Sequence, residues 1–475
     1  MAKKVSGTED DLPVFGMFLS LLGTSEALMK KLQDHSCSTT SLGGCIKVWL
    51  GPLLYYMVTD ARKIEFILKN HLEKDRIVRF LRFVLGNASI FAPVHIWRPR
   101  RKIVMSAFTP KILSSFVDIF SIQSDKLVGK LKPFAGKGQF KIWSYLNAYS
   151  LDAVMETAMG VKINAQDNPE ESPILSATNN VLYYICERIF RVWKHPDWLY
   201  RWFPQHAKLE HYTKILHKFT DEIIEKKKAL ITEQNKLRMD GEDISETTTF
   251  LDILISQSGG ERGYSVKELR EEVLTFLVAA MDTSAVTMGY TLKLLGKYPA
   301  VQQKVFDELD VVFGDSDRLV TREDLPKLQC LERVIKEAMR LFPPSPFILR
   351  ETSENSVIDG ITFPKGSGLI ISVYGVHRNP KYWGPDPHCY DPDRFLPERS
   401  QDRHPCAFIP FSHGPRGCLG YQYALMSMKT LLSSVLRRYR VVGEPENGPI
   451  PNIRVKLEIM MKAVDGFEVA LEERV

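Results

Sequence analysis

A chain of 475 residues, 44% hydrophobic and 25% charged, is too apolar to stay disordered and long enough for two or three average domains or one large one. Its 63 Lys and Arg against 57 Asp and Glu leave a net charge of +6, too diffuse for nucleic acid and without the basic-aromatic interleaving that would support it. A basic patch facing an acidic protein partner is the better use of that excess, and seven cysteines without regular spacing suit a reducing compartment or the cytosolic face of a membrane.

Residues 12–23 are apolar but number only about a dozen, short of the roughly 20 that span a bilayer. Residues 24–34 carry charges at helical spacing, so 1–34 reads as an amphipathic lead-in without a transmembrane anchor, with Met1-Ala2-Lys3-Lys4 as a trimmed start. Residues 46–50 and 54–58 flank Gly51-Pro52 as a short hairpin, and Asp60 opens a helix over 61–70. The run His95-Ile96-Trp97-Arg98-Pro99-Arg100-Arg101-Lys102 is either a solvated charge run or a carboxylate clamp, because Trp97 and Arg101 are four apart and share a helix face. Apolar spacing over 113–159 predicts at least two core helices, 160–173 a polar loop and 174–192 another helix. Residues 193–204 set three tryptophans among cations, either packed into a corner of the core or placed at a bilayer interface. A long amphipathic helix over 208–238 precedes an acidic, threonine-rich linker over 239–249, too short to separate domains.

Ser265 and Glu268 form a capping box that starts a helix running to about Lys297 and stopped by Pro299. Some thirty residues make it a rod of about 45 Å. Its middle, Ala279-Ala280-Met281-Asp282-Thr283-Ser284, puts a carboxylate and two hydroxyls where such residues form helix poorly. Either the hydroxyls bond back one turn, or small side chains open room beside a flat cofactor while Asp282 and Thr283 relay protons. Residues 321–341 predict a helix closed by Pro343-Pro344, with Glu337 and Arg340 at i, i+3. Strands follow at 347–352, 356–358, 361–363 and 369–373, with Asp359-Gly360 as a hairpin turn.

A strand-like stretch over 407–411 leads into Phe411-Ser412-His413-Gly414-Pro415-Arg416-Gly417-Cys418-Leu419-Gly420, ahead of an apolar helix over 421–436. A lone cysteine is most often a small buried hydrophobe. At a helix N-terminus among backbone N–H groups, however, thiolate is favoured over thiol. No second cysteine lies at Cys-x-x-Cys spacing, and His413 is too close in sequence to serve easily as a base. Metal ligation remains, and one thiolate suffices where a porphyrin supplies four further ligands. Residues 455–461 and 467–471 flank Asp465-Gly466 as a second hairpin.

The pattern Phe-x-x-Gly-x-Arg-x-Cys-x-Gly, met at Phe411, Gly414, Arg416, Cys418 and Gly420, resembles the haem-binding loop of the cytochrome P-450 monooxygenases. Trp97 and Arg101 resemble that family's Trp-x-x-x-Arg, residues 279–284 its Ala-Gly-x-Asp/Glu-Thr-Thr/Ser, Glu337 and Arg340 its Glu-x-x-Arg, and Arg394 its Pro-x-Arg-Phe, all in the family's order. The contexts Trp49-Leu50-Gly51-Pro52 and Arg100-Arg101-Lys102-Ile103 are similar to the microsomal type and its insect branch related to fatty-acid omega-hydroxylases.

The resemblance implies one mainly α domain over 1–475 with a smaller β-rich part, a central oxygen-activating helix over 265–298, and a haem-ligand loop with its helix over 407–436. It implies haem with Cys418 as the metal ligand, Trp97, Arg101, Arg350, Phe411 and Arg416 around the cofactor, and Asp282 and Thr283 as the catalytic residues. Glu337, Arg340 and Arg394 would lock the fold behind the haem. Ala280 departs from the usual glycine and narrows the oxygen groove, and Ala279 replaces a glutamate that bonds covalently to haem in much of that branch, which implies non-covalent haem. The implied reaction inserts one atom of O2 into a hydrophobic fatty acid, hormone, terpenoid or xenobiotic. Electrons would come from an NADPH-dependent flavoprotein reductase, with cytochrome b5 as a second donor, at the cytosolic face of the endoplasmic reticulum membrane. Lys429, Arg437, Arg438 and Arg100 or Lys102 are the cations expected to meet the reductase. The substrate cavity is expected between the loop before Trp97, the helix around Tyr183, Phe276, Ala280 and residues 345–348. Two rival readings are a haem-binding protein without turnover and a reductase-independent peroxide isomerase; Thr283 speaks against the second.

Overall fold

The computed structural model describes residues 6–7, 21–239, 249–258 and 263–474; most of the apolar stretch expected at 12–23 and of the linker expected at 239–249 lies outside them. After α1 (Ser25–Ser41), the Gly51-Pro52 turn joins β1 (Cys45–Leu50) to β2 (Leu53–Val58) as the expected antiparallel hairpin. Asp60 then caps α2 (Ala61–Asn70) by accepting the Arg62 and Lys63 N–H groups. Four strands from distant parts of the chain make one sheet: β2 runs parallel to β7 (Gly368–Ser372), which pairs with β4 (Phe347–Glu351). Only glycine fits at 368, because a Cβ there would stand 2.1 Å from the Tyr55 ring.

The rest is mainly helical. Helices α3 (Val94–Met105), α4 (Val117–Leu131), α5 (Trp143–Val154), α6 (Pro173–Ile189) and α7 (Pro204–Met239) lead to α8 (Val266–Lys297), which starts at the expected Ser265–Glu268 capping box. Among the described residues α8 is long and apolar enough to cross a membrane, yet 78% of its apolar window is buried inside the protein, as a core rod is. Leu277, Met281, Ala285, Met288 and Leu292 along it are buried. Helices α9 (Gln329–Leu341) and α10 (Tyr421–Arg438) complete the core behind the cysteine loop.

Four local expectations are corrected. The helix expected from residue 321 begins only at Gln329, because Asp324 draws in the Thr321 N–H and hydroxyl and the Arg318 guanidinium, and Leu325–Lys327 is a 3-10 turn containing Pro326. The stretch 407–411 is not a strand: the Ile409 N–H goes to the His377 ring and the Ser412 N–H to Ile409 O. Residues 455–461 fold on themselves, β9 (Val455–Glu458) turning at Ile459, φ 65°, to pair with β10 (Met460–Ala463). The strand β11 (Glu468–Glu473) pairs instead with β3 (Gln139–Lys141) and β8 (Tyr439–Val442). Finally, the tryptophan-rich loop is not packed into the core, since Trp198 is 70% and Trp202 84% exposed. The expected Asp359-Gly360 hairpin forms, between β5 (Ser356–Ile358) and β6 (Ile361–Phe363).

Candidate functional site

The cysteine loop is held by its own backbone: Cys418 N–H donates to Phe411 O and Gly417 N–H to Gly414 O, each at 2.9 Å. Gly414, φ 74°, lies against the end of α2, and a Cβ there would stand 2.8 Å from Leu68 O. Cys418 is enclosed by protein, but its sulfur is uncovered toward a cavity of about 340 Å³ that Phe411 also lines. Burial pushes the Cys418 thiol up despite the Gly420 N–H and the Arg101 charge, so the expected thiolate preference is not met by the protein alone. No group of three or more His, Cys, Asp or Glu suited to a metal occurs among the described residues.

Three guanidinium groups face the same cavity. Trp97, buried on α3, lies beneath Arg416 at 4.5 Å and near Arg101 at 5.8 Å, which places the expected pair on one helix face despite Pro99. Arg416 donates Nη2 to Ala92 O at 2.6 Å and leaves Nε and Nη1 buried without partners. Arg350 on β4 donates Nη1 to Leu349 O at 2.9 Å and leaves Nε unpartnered. Burial brings both Arg350 and Arg416 down to about 10. Buried cations and orphaned donors of this kind fit a group that carries carboxylates on the edge of a flat ring, as haem does.

On α8, Ala279, Ala280, Thr283, Ser284 and Thr287 line the cavity. The Thr283 hydroxyl donates to Ala279 O at 2.7 Å, so it both bonds back one turn and borders the cavity. Asp282 does not reach the cavity wall, contrary to the direct relay expected of it. Its carboxylate, fully buried, lies 2.9 Å from Lys462 Nζ on β10, and that ammonium also donates to Asn179 at 3.2 Å. Also on the cavity wall, Phe276 stacks on Phe250 at 4.4 Å and tilts against Phe108 at 5.7 Å.

Behind the loop, Glu337 and Arg340 form a fully buried fork–fork pair at 2.6 and 2.7 Å. Arg340 also donates to the carbonyls of His377 and Cys389, and Arg394 lies 3.9 Å from Glu337 while donating to Trp383 O and Asp386 O. The expected structural triad is therefore assembled.

Other expectations shift. Tyr183 is 42% exposed and lines a separate surface hollow with Leu21, Leu28 and Cys186. Of the expected docking cations, Lys429 is buried against Glu332 at 2.8 Å and Arg438 pairs with Asp317 at 2.7 Å. Arg100 pairs with Glu268 and Glu272, and Arg437 stacks on Phe313, leaving Lys102 exposed. Two charged cavity residues were not anticipated: Glu272, whose Oε1 takes the Ser89 N–H and hydroxyl, and Lys74. Glu73-Lys74-Asp75 reads as an ordinary charged turn, and no spacing signals that Lys74 points inward.

The family model described as Cytochrome P450 matches residues 7–466. The chain is similar to "Cytochrome P450 4V2" of Homo sapiens, 36% identical over 436 residues that cover 90% of this chain and 82% of that protein. It is 33% identical over 444 residues to "Cytochrome P450 4c3" of Drosophila melanogaster, covering 91% and 82%. "Cytochrome P450 4d2" of the same fly is 33% identical over 479 residues, covering 98% and 93%.

Proposed function

The chain belongs to the cytochrome P450 family and is a monooxygenase that works on a substrate and O2 with a redox partner, and on that footing we propose that Cys418 Sγ is the protein ligand of its haem iron. The observation that carries this is the meeting, on one cavity, of a sulfur uncovered toward the interior and three guanidinium groups that form no ion pair among the described residues. When bound, haem supplies the activation of O2 and the transfer of one oxygen atom to a C–H bond or double bond. Arg101, Arg350 and Arg416 hold its carboxylates, and Trp97 keeps the Arg416 guanidinium in position. Ala279 offers no carboxyl group for a covalent link, so the cofactor is held by contacts alone.

Phe108, Phe250 and Phe276 keep water out of the cavity and favour a hydrophobic substrate such as a fatty acid, hormone, terpenoid or xenobiotic. Thr283 Oγ1 holds a proton at the cavity wall. Asp282 resupplies it only after leaving Lys462. Electrons come from NADPH through a flavoprotein reductase, with cytochrome b5 as a second donor, on the face of α3 where Arg98 and Lys102 are exposed. The exposed Trp198 and Trp202 rest on the cytosolic side of the endoplasmic reticulum membrane.

Reduced wild-type protein under carbon monoxide is expected to give a thiolate-type Soret band, and Cys418→Ser to lose it while keeping its helix content. Absence of the band from intact wild type would remove the assignment. Product formation with reductase, NADPH and a panel of fatty acids and terpenoids then distinguishes turnover from haem binding alone.

A further inference from the structure

Residues 86–92 lead from the short helix Arg79–Leu85 toward α3, and two of them, Ser89 and Ile90, form part of the cavity wall. Ile90 is also 43% exposed, so at this point one residue separates cavity from solvent. The loop has little support of its own beyond a turn in which Ala88 O accepts the Phe91 and Ala92 N–H groups. Its far end is tied down by cations: Phe91 O accepts Arg82 Nη2 at 2.8 Å, and Ala92 O accepts Arg416 Nη2 at 2.6 Å. Its near end is tied by carboxylates to the first turns of α8. Glu271 accepts the Asn87 N–H at 2.9 Å, and Glu272 Oε1 accepts the Ser89 N–H at 2.9 Å and the Ser89 hydroxyl at 2.7 Å. Arg100 on α3 closes this cluster, donating Nη1 to Asn87 O at 3.0 Å and lying 3.5 Å from Glu272 while it also pairs with Glu268. Gly86, φ 60°, is where the chain turns into the loop, and a Cβ there would stand 1.9 Å from Glu271 Cδ.

The two ends differ in how easily they let go. Arg416 is buried, whereas Asn87 is exposed and the Glu268 side chain is 37% exposed, so water competes for the bonds at the near end. Charge-assisted bonds are strong singly, and three of them hold residues 87–89. Once these break, residues 87–90 can swing between Gly86, which takes either sign of φ, and Ala92, which Arg416 retains. Ile90 then leaves the wall. We propose that Glu271 and Glu272 are positioning residues that fasten the 86–92 loop to α8, and that substrate enters past Ile90, so that this fastening sets how wide a molecule the cavity admits. The inference rests on the monooxygenase reading above and adds to it a route and a size filter. Slender molecules pass with the loop in place, and bulky ones wait for Ser89 to leave Glu272. By the rise of the helix, Glu272 stands about 16 Å along α8 from Thr283, so it acts on the reaction through the loop and not by touching the reacting atoms.

The test reads the loop directly and through its effect on entry. Amide hydrogen exchange over 87–92 is compared in haem-loaded wild type, Glu272→Leu and Glu272→Gln, together with stopped-flow association of imidazole and N-tritylimidazole, a small and a bulky nitrogen ligand of haem iron. Glu272→Leu is expected to speed exchange at Asn87 and Ser89 and association of the bulky ligand about tenfold, the size of one charge-assisted hydrogen bond. Imidazole should associate at the wild-type rate. Glu272→Gln keeps a carbonyl oxygen for Ser89 and should return both readings most of the way to wild type. If Glu272→Leu does not fold, Ser89→Ala, which removes the hydroxyl bond alone, carries the comparison with smaller changes of the same sign. Faster exchange without faster entry of the bulky ligand would place the route elsewhere and overturn the proposal, as would unchanged exchange or an equal gain for both ligands. A wild type without a thiolate-type Soret band would instead indict the parent reading, while the exchange arm still reports on the fastening, so the two failures are distinguishable.

Discussion

The Ile409 N–H donates to His377 Nε2 at 2.9 Å, which ties the segment leading into the cysteine loop to the structure behind it. A nitrogen that accepts carries no proton, so the His377 hydrogen sits on Nδ1, 3.2 Å from Arg340 O, where it donates. One neutral imidazole thereby joins the Glu337–Arg340 pair to the loop that carries Cys418.

That imidazole gives a pH dependence with a definite sign. Burial, with Arg340 and Arg378 adding to it, holds the His377 pKa at about 3, below its ordinary value of about 6.5. The unfolded chain therefore takes up a proton that the folded chain refuses. The stability this gives is complete above about pH 6.5 and is lost as pH falls toward 3, at up to about 1.4 kcal/mol per unit. Denaturant midpoints at pH 7 and pH 5 should fall further apart for wild type than for His377→Gln, which keeps an acceptor but does not titrate. Equal separations would show that His377 does not carry the effect.

The Glu337–Arg340 pair predicts a different asymmetry. Both side chains are fully buried, and Arg340 donates to carbonyls as well as to the carboxylate. Removing one partner strands the other, so Glu337→Gln should destabilise by about 3–5 kcal/mol. Arg340→Lys keeps the charge but loses the planar fork, and it should lose much of the same stability. The check is the unfolding midpoint together with haem content per chain, both expected to drop in each variant.

What could be read in advance follows from where the information lies. The five motifs are local strings, so Trp97, Arg101, Thr283, Glu337 and Cys418 could be named from spacing, and capping chemistry fixed the start of α8 at Ser265. Long-range choices could not be read this way. Ile409 lost its strand to a ring 32 residues away, β11 chose β3 and β8 over a nearer partner, and Asp282 found Lys462 across 180 residues of chain. Lys74 was hidden because an inward lysine and a surface lysine look the same in sequence.

The Asp282–Lys462 contact separates structure from chemistry in a double-mutant cycle. Both side chains are buried, so Lys462→Met leaves a carboxylate without its partner and should destabilise by about 3–5 kcal/mol. Adding Asp282→Asn should recover most of that loss in unfolding midpoint, since no lone charge then remains. Turnover should not recover if Asp282 supplies protons to Thr283. Recovery of both stability and turnover in the double variant would make the pair structural only.

The exposed tryptophans make the last prediction. Trp198 and Trp202 stand 70% and 84% exposed beside Arg201, with Val192 and Trp193 exposed nearby, an apolar area that water does not favour. Indole rings with a neighbouring cation suit the headgroup region of a bilayer. Burying one such ring is worth roughly 1.5–3 kcal/mol at most, and partial insertion gives less. Replacing both with serine should therefore cut partitioning onto vesicles at least tenfold, measured by co-sedimentation with vesicles of neutral and anionic lipid. The carbon monoxide spectrum should not move, because neither ring lines the cavity. Unchanged partitioning would place the membrane contact on another face.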